Sequence, residues 1–385
     1  MIPLSAPNIG GNSWKYIKEC LDTEWVSSAG KYVDKFEEKI AQYTNSKYVV
    51  ACVNGTSALQ VSLQLAGVRP GDEVIVPTLT FIAPVNAINY NQATPVFMDV
   101  DEFYNLDIKK TINFIKNKTF FKNGKTYNKK TKKRISCLMP IHMWGNAVWL
   151  DDLVDICKGK NISIVEDSSE SLGTFYLDGK YKNKYTGTIG ELGCLSFNGN
   201  KIMTTGGGGA ILTNNKKLYL KAKYLVTQAK DDPVRYIHHE IGYNFRLTNI
   251  QAALGVAQLE QLESFLERKK NIFKKYNFEI SEIEGLSIAK VPDYSNNNLW
   301  MILLQIDKEI YGEDKEELMS RLNKKNIQTR PAWSPIHLQK PYQNCQKYKI
   351  KFANRLVENS LCLPSSTNIS NKELNYIIEQ LKKEK

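Results

Sequence analysis

Tyr48-Val-Val-Ala-Cys-Val53 is an unbroken apolar run that stops at Asn54-Gly-Thr-Ser57, after which apolar residues recur at helical spacing as far as Leu65. A short apolar run with no alternation predicts a strand buried on both faces, and the polar turn that follows opens a helix. The same unit recurs down the chain. Strands are expected at Glu73–Pro77, Pro95–Met98, Ile135–Met139, Ile162–Val165, Cys194–Phe197 and Ala210–Thr213. Helices are expected at Phe81–Tyr90, Leu150–Lys158, and near 215–229 and 247–275. Strands separated by helices imply right-handed crossovers and a mostly parallel sheet covered on both sides. From about residue 280 the pattern changes to a strand at Leu299–Ile306, a helix at Lys315–Lys325 and a closing helix at Lys372–Lys383. The reading is an α/β protein, with a large domain over residues 1–260 and a smaller α+β domain over 261–385.

Composition narrows the class. The 385 residues are 42% apolar and 24% charged, which is ordinary for a globular protein and excludes a disordered or fibrous chain. Seven cysteines lie at least 17 residues apart, so no CxxC pair is available for zinc or redox work, and no metal site is expected. The longest apolar window falls far short of the roughly 20 residues a spanning helix needs. Met1-Ile-Pro-Leu-Ser-Ala-Pro7 lacks the basic start and apolar core of a signal peptide, and a cytoplasmic protein without membrane partners is expected. The net charge of +12 suggests a nucleic-acid binder until it is located. Residues 109–134 hold eleven Lys/Arg and no acid, and the remainder of the chain is nearly neutral. Charge runs of this kind are usually solvated surface, so a hydrophilic hairpin or loop is expected there, with no nucleic-acid partner.

In an open parallel sheet, ligands bind beyond the carboxyl ends of the strands. That rule selects Asn54–Ser57, Pro77–Phe81, His142, Glu166-Asp167 and Ser196–Lys201. Gly55-Thr56-Ser57 reads as a phosphate site at a helix start or as an ordinary cap. Asp167, after an apolar strand, reads as a partner for a buried cation or as a turn cap. Lys201 lies in Ser196-Phe-Asn-Gly-Asn-Lys-Ile-Met-Thr-Thr-Gly-Gly-Gly-Gly209, where it is the sole charge. Burial there would free an amine able to form a Schiff base.

Five motifs in this order, Asn54-Gly-Thr-Ser-Ala58, Pro77-Thr-Leu-Thr-Phe-Ile-Ala83, Glu166-Asp-Ser-Ser-Glu-Ser-Leu-Gly173, Ser196-Phe-Asn-Gly-Asn-Lys201 and Gly242-Tyr-Asn-Phe-Arg-Leu-Thr248, closely resemble the DegT/DnrJ/EryC1/StrS sugar aminotransferases. The resemblance runs from about Pro3 to the last helix. It implies the pyridoxal-phosphate (PLP) transferase fold type I, similar to aspartate aminotransferase, with a mostly parallel seven-stranded sheet. It further implies that Lys201 carries the cofactor covalently and then moves protons. Asp167 would bind the pyridine nitrogen, Phe81 would stack on the ring, and Gly55, Thr56, Ser57 and Ser196 would hold the phosphate. Asn244 would reach the phosphate of a neighbouring subunit, making a homodimer with shared sites. Glu170 stands where many relatives have Gln near the cofactor's 3-hydroxyl, and a carboxylate there needs a proton or a cationic neighbour. Some relatives carry His at the lysine position and dehydrate instead, so Lys201 favours transamination.

The segments around Glu166 and Lys201 look most like the branch that makes 4-amino-4,6-dideoxy-N-acetylhexosamines for glycans of the legionaminic acid and bacillosamine kind. L-Glutamate would be the amino donor and a UDP- or GDP-linked 4-keto-6-deoxy sugar the acceptor. Asn198, Arg330, Trp333 and His337 are the candidates for contacting it, with Arg330 suited to a diphosphate. His337 reads equally as a structural hydrogen-bonder. The alternatives are a C3-aminotransferase acting on a 3-keto sugar and a non-catalytic cofactor-binding homologue.

Overall fold

The computed structural model describes residues 1–232 and 234–382. Its centre is a sheet containing β1 (Tyr48–Cys52), β2 (Glu73–Pro77), β3 (Thr94–Met98), β4 (Arg134–Leu138), β5 (Ser163–Asp167), β6 (Leu192–Ser196) and β7 (Gly209–Thr213). Their spatial order is β1-β7-β6-β5-β4-β2-β3. The four pairings among β2 to β6 are parallel, and β7 alone runs antiparallel to both its neighbours, β1 and β6. The period of two decides which core each side chain enters. Val74 and Val76 join Leu59, Val85 and Leu225 on one face, whereas Ile75 joins Phe114, Leu153 and Ile164 on the other. With apolar side chains packed by helices on both sides, these strands have no reason to alternate in sequence.

The expected seven strands are extended by three more. Thr119–Lys122 and Lys125–Asn128 form a hairpin whose second strand pairs antiparallel with β4, and Lys347–Tyr348 pairs in parallel with β3. The hairpin is the Lys-rich segment. It meets the sheet at the amino ends of the strands, where Asn128 is fully buried and its Nδ2 donates to Glu73 Oε2 at 2.7 Å and Gln346 Oε1 at 2.9 Å. At the other edge, buried Asp99 accepts Lys110 Nζ at 2.6 Å and the N–H groups of Lys351, Phe352 and Ala353, each at 2.9 Å. Burial pushes the Asp99 carboxyl up, but these donors outweigh it and hold it below its ordinary range.

A second sheet, entirely antiparallel, has the order Leu286–Ile288, Ile302–Ile306, Ser360–Leu363, Arg330–Pro331. Helices Leu262–Ile280, Lys315–Lys324 and Asn371–Leu381 cover it through Tyr276, Leu318, Leu322 and Ile377, giving the C-terminal region its own core. Ile2 from the chain start lies in that core too.

Two expectations change. The helix expected over 247–275 is two helices, Asn249–Leu259 and Leu262–Ile280, which break at Glu260-Gln261. The N-terminal arm is packed there, and Gln261 Nε2 donates to Gly10 O at 3.1 Å. The strand expected from Leu299 begins at Ile302, because residues 298–300 form a tight turn described below. Lys383, the last residue of the expected closing helix, lies outside the described residues. No described helix is long and apolar enough to cross a membrane.

Candidate active site

The carboxyl ends of β1, β2, β4, β5 and β6 come together with the amino end of β7, and a cavity of about 320 Å³ opens over them. Strands β1, β2, β5 and β6 deliver most of its lining. After β1, the helix Gly55–Leu65 starts on Asn54, whose Oδ1 accepts the Ser57 N–H at 2.7 Å, a cap that stabilises a helix by about 1 kcal/mol. Asn54 is thus committed to capping, while Gly55 and Thr56 line the cavity. A side chain at position 55 would come within 2.9 Å of Ser196 Cβ, so only glycine lets this turn approach β6. After β2 come Thr80 and Phe81, and the end of β5 supplies Asp167, followed by Ser169 and Glu170. Ser196, Asn198, Asn200 and Lys201 follow from β6, and the C-terminal region adds Trp300 and Trp333.

The charged groups are held in layers. Glu166, fully buried one residue before Asp167, accepts His142 Nε2–H at 2.9 Å and the N–H groups of Gly187, Ile189 and Gly190 at 2.8, 2.7 and 2.6 Å. Burial raises its carboxyl, but His142 and the backbone donors carry it below its ordinary range. His142 Nδ1 accepts Val148 N–H at 3.0 Å, which assigns the ring proton to Nε2. The His142 backbone N–H donates to Asp167 O at 3.0 Å, so the same loop fixes the end of β5. Asp167 itself is pushed up by burial, against the Ser169 N–H at 3.0 Å and the charge of Lys201. Such a carboxylate favours a cationic partner.

Lys201 is the cation at the centre. Its side chain is 13% exposed, with Nζ 3.6 Å from Glu170 Oε1 and 4.2 Å from the centroid of Trp300. Burial pushes Glu170 up to about 7, although Lys201 and the Trp144 N–H, donated at 2.8 Å, work against this. The cationic neighbour that a carboxylate at position 170 requires is therefore present.

Two turns with left-handed backbone stand behind the lining indoles Trp300 and Trp333. Trp144 has φ 53° and Leu299 has φ 55°, conformations that cost a non-glycine residue about 1–2 kcal/mol. The turns interlock. At Gly145, with φ 97°, any side chain would collide with the Asn298 carboxamide. Thr174 Oγ1 donates to Gly145 O at 2.8 Å and accepts Asn298 N–H at 3.0 Å. They deliver Trp144 and Trp300 to either side of Trp333, at centroid distances of 5.6 and 6.4 Å, and Phe81 meets Trp333 edge-on at 5.4 Å.

Of the residues singled out in the sequence, Gly55, Thr56, Phe81, Asp167, Glu170, Ser196, Asn198, Lys201 and Trp333 line this cavity. Ser57, Asn244, Arg330 and His337 are not part of the lining. Asn244 is exposed and Arg330 donates from Nη1 to Thr329 O at 2.9 Å. His337 is buried, with Nδ1 2.6 Å from Thr78 Oγ1, and burial lowers its pKa. Thr80 and Asn200 lie within the strand-end stretches that the sequence selects but carry no assigned role there, and Ser169 and Trp300 are additions of the structure. A cleft of about 310 Å³ beside Glu19, Trp25 and Asn249 gathers no comparable set.

The sequence profile of the DegT/DnrJ/EryC1/StrS aminotransferase family matches residues 7–382. The chain belongs to that family. The GDP-perosamine synthase of Escherichia coli O157:H7 is 37% identical over 99% of this chain and 97% of its own length. A GDP-perosamine synthase of Caulobacter vibrioides is 33% identical over 99% and 97%. A family aminotransferase from Brucella abortus has the same fold, with a TM-score of 0.86 at 25% identity over 96% of this chain and 94% of its own. This aminotransferase is therefore PLP-dependent and acts on a nucleotide sugar. Its cavity fits that cofactor on its own observations. Among the described residues Thr80 Oγ1, buried in the lining, has no hydrogen-bond partner, Gly55 leaves a helix start open beside Ser196, and buried Asp167 favours a cation.

Proposed function

We propose that this aminotransferase transfers the amino group of L-glutamate to C4 of a UDP- or GDP-linked 4-keto-6-deoxy-N-acetylhexosamine, giving a 4-amino-4,6-dideoxy sugar for a bacterial surface glycan of the legionaminic acid or bacillosamine kind. The observation that carries it is the buried Lys201 amine facing Glu170 and Asp167 across one cavity. PLP supplies an electron sink that stabilises charge at the amino-bearing carbon. The chain does the rest. Asp167 holds the proton on the pyridine nitrogen, and Phe81 covers the ring. Thr56, Ser57 and Ser196, with the glycine-led helix start, hold the phosphate. Lys201 Nζ carries the cofactor and then takes and returns the reacting proton. Glu170, with its pKa near 7, holds or releases a proton beside that amine.

Asn198, Trp333 and Arg330 are assigned to the nucleotide sugar, with Arg330, which lies outside the lining, as the diphosphate contact. Asn244 is assigned to the site of a second copy. The segment leading to it exposes Val234 at 81%, Tyr236 at 71% and Ile241 at 86%, apolar surface that a homodimer would cover. A cytoplasmic location belongs to the same reading. The names of the two relatives favour C4 chemistry and a GDP-linked acceptor, and the second reading is therefore a GDP-linked 4-keto-6-deoxyhexose without the N-acetyl group.

The test is a half-reaction. The enzyme is converted to its pyridoxamine form with glutamate, freed of ligand, and offered each UDP- and GDP-linked ketosugar in turn. Return of the lysine-linked absorbance with an N-acetylated 4-ketosugar supports the proposal, and return only with the non-acetylated sugar moves it to the second reading. A product aminated at C3 refutes the position assigned. Heterodimers of inactive Lys201→Ala and Asn244→Asp subunits regain activity if sites are shared.

A further inference from the structure

Lys269 is a buried titratable group to which the chemistry above gives no task. It lies on the helix Leu262–Ile280 and is 3% exposed. Its Nζ donates to Trp300 O at 2.6 Å, Ser365 O at 2.6 Å and Ser365 Oγ at 2.9 Å. All three acceptors are neutral, and burial lowers the ammonium to about 7. Among the described residues it has no counter-charge; a cation kept so in the interior is unfavourable, and an apolar side chain would fill the same space without that penalty. Its use therefore lies in what it holds.

It holds the left-handed turn. Leu299, at φ 55°, directly precedes Trp300. The Trp300 N–H donates to Asn298 Oδ1 at 2.9 Å while its carbonyl receives Lys269, so side chains fix both backbone polar groups of this residue. The indole then touches the lysine loop twice. Nε1–H donates to Asn200 O at 2.6 Å, and the ring lies 4.2 Å from Lys201 Nζ. We propose that Lys269 is a positioning residue for the Lys201 amine, acting through Trp300. The proposal rests on the reading of Lys201 as the cofactor-bearing amine.

The test strips the cofactor, restores PLP, and traps the covalent link at Lys201 with borohydride as a function of time, alongside thermal melting. In Lys269→Met the rate of linkage per folded protein falls by on the order of tenfold to a hundredfold, and Lys269→Arg regains part of it. The turnover number for amino-group exchange between L-glutamate and isotopically labelled 2-oxoglutarate falls in parallel, with KM nearly unchanged. A merely structural lysine would lower the melting temperature and the active fraction but leave the rate per active site as it was, and that result overturns the proposal. If Lys269→Met does not fold, Lys269→Arg combined with Trp300→Phe decides. Linkage no slower than in the worse single variant supports the proposal, and fully additive losses overturn it. Lys201→Ala separates the two readings. A covalent link surviving in that variant removes Lys201, and this proposal with it, whereas an unchanged rate in the Lys269 variants removes Lys269 alone.

Discussion

The lysine-rich segment and the cavity handle positive charge in opposite ways. Residues 109–134 carry eleven cations, nine of them exposed; only Lys110 and Arg134 are half-buried, and both pair with carboxylates, Lys110 with Asp99 and Arg134 with Asp72. In the cavity lining a single lysine, Lys201, sits between an indole and two buried carboxylates. Water and salt screen the exposed set, so its members do little for one another or for any reaction. Desolvation strengthens every interaction of the buried one. The chemistry of this chain follows burial, not the density of charge.

Substitutions can break or sharpen that contrast. Lys201→Ala should remove the covalent cofactor link and lower turnover by on the order of 10³-fold or more, whereas replacing Lys122, Lys125, Lys129 and Lys130 together by Gln should leave turnover within about twofold, since such surface changes act weakly. Steady-state assays on both variants decide, and a large loss from the hairpin set would end the contrast. Asp167→Asn should retain weakened cofactor binding yet lose about 10²–10³-fold in turnover, the scale of removing one oriented charge from an active site; near-normal rates would show that the pyridine nitrogen needs no carboxylate.

Stability should divide the same way. Glu170 has a folded pKa of about 7 against an ordinary 4.5, so the folded protein binds more protons between those values and its stability falls as pH rises through them. In the cofactor-free protein, Glu170→Gln should add on the order of 1–3 kcal/mol above pH 7 and nothing below pH 4; urea melts at both ends of the window measure it. Within the hairpin, Asn128→Ala should cost about 1–3 kcal/mol by taking a donor from each of Glu73 and Gln346 in the interior. The four-lysine replacement should change stability by less than about 0.5 kcal/mol.

What could be read from the chain divides along similar lines. Runs such as Tyr48–Val53 and Ile162–Val165 announce strands because burial on both faces leaves no alternation, and the polar residues after them fall at the carboxyl ends by topology alone. Lys201 stands out as the sole charge in its run, and Glu170 as a departure from the family's glutamine. The cluster of Trp144, Trp300 and Trp333 is a different matter. It depends on two left-handed turns, from segments about 150 residues apart, locked by the carboxamide of Asn298, and neither turn contains proline or an Asn-Gly pair to mark it. The polar triplet Asn296-Asn297-Asn298 within the expected approach to a strand was the available signal. The break at Glu260-Gln261 was hidden for a similar reason, since helical periodicity continues across it and only the packed N-terminal arm distinguishes it.

The edge strand Lys347–Tyr348 and the three N–H groups gathered by Asp99 moor the C-terminal region to the main sheet. A swing of that region as one body would have to part the strand pairing and strip a buried carboxylate of its donors at the same moment. The same swing would part the rings of Phe81 and Trp333, which meet edge-on at 5.4 Å across the two regions.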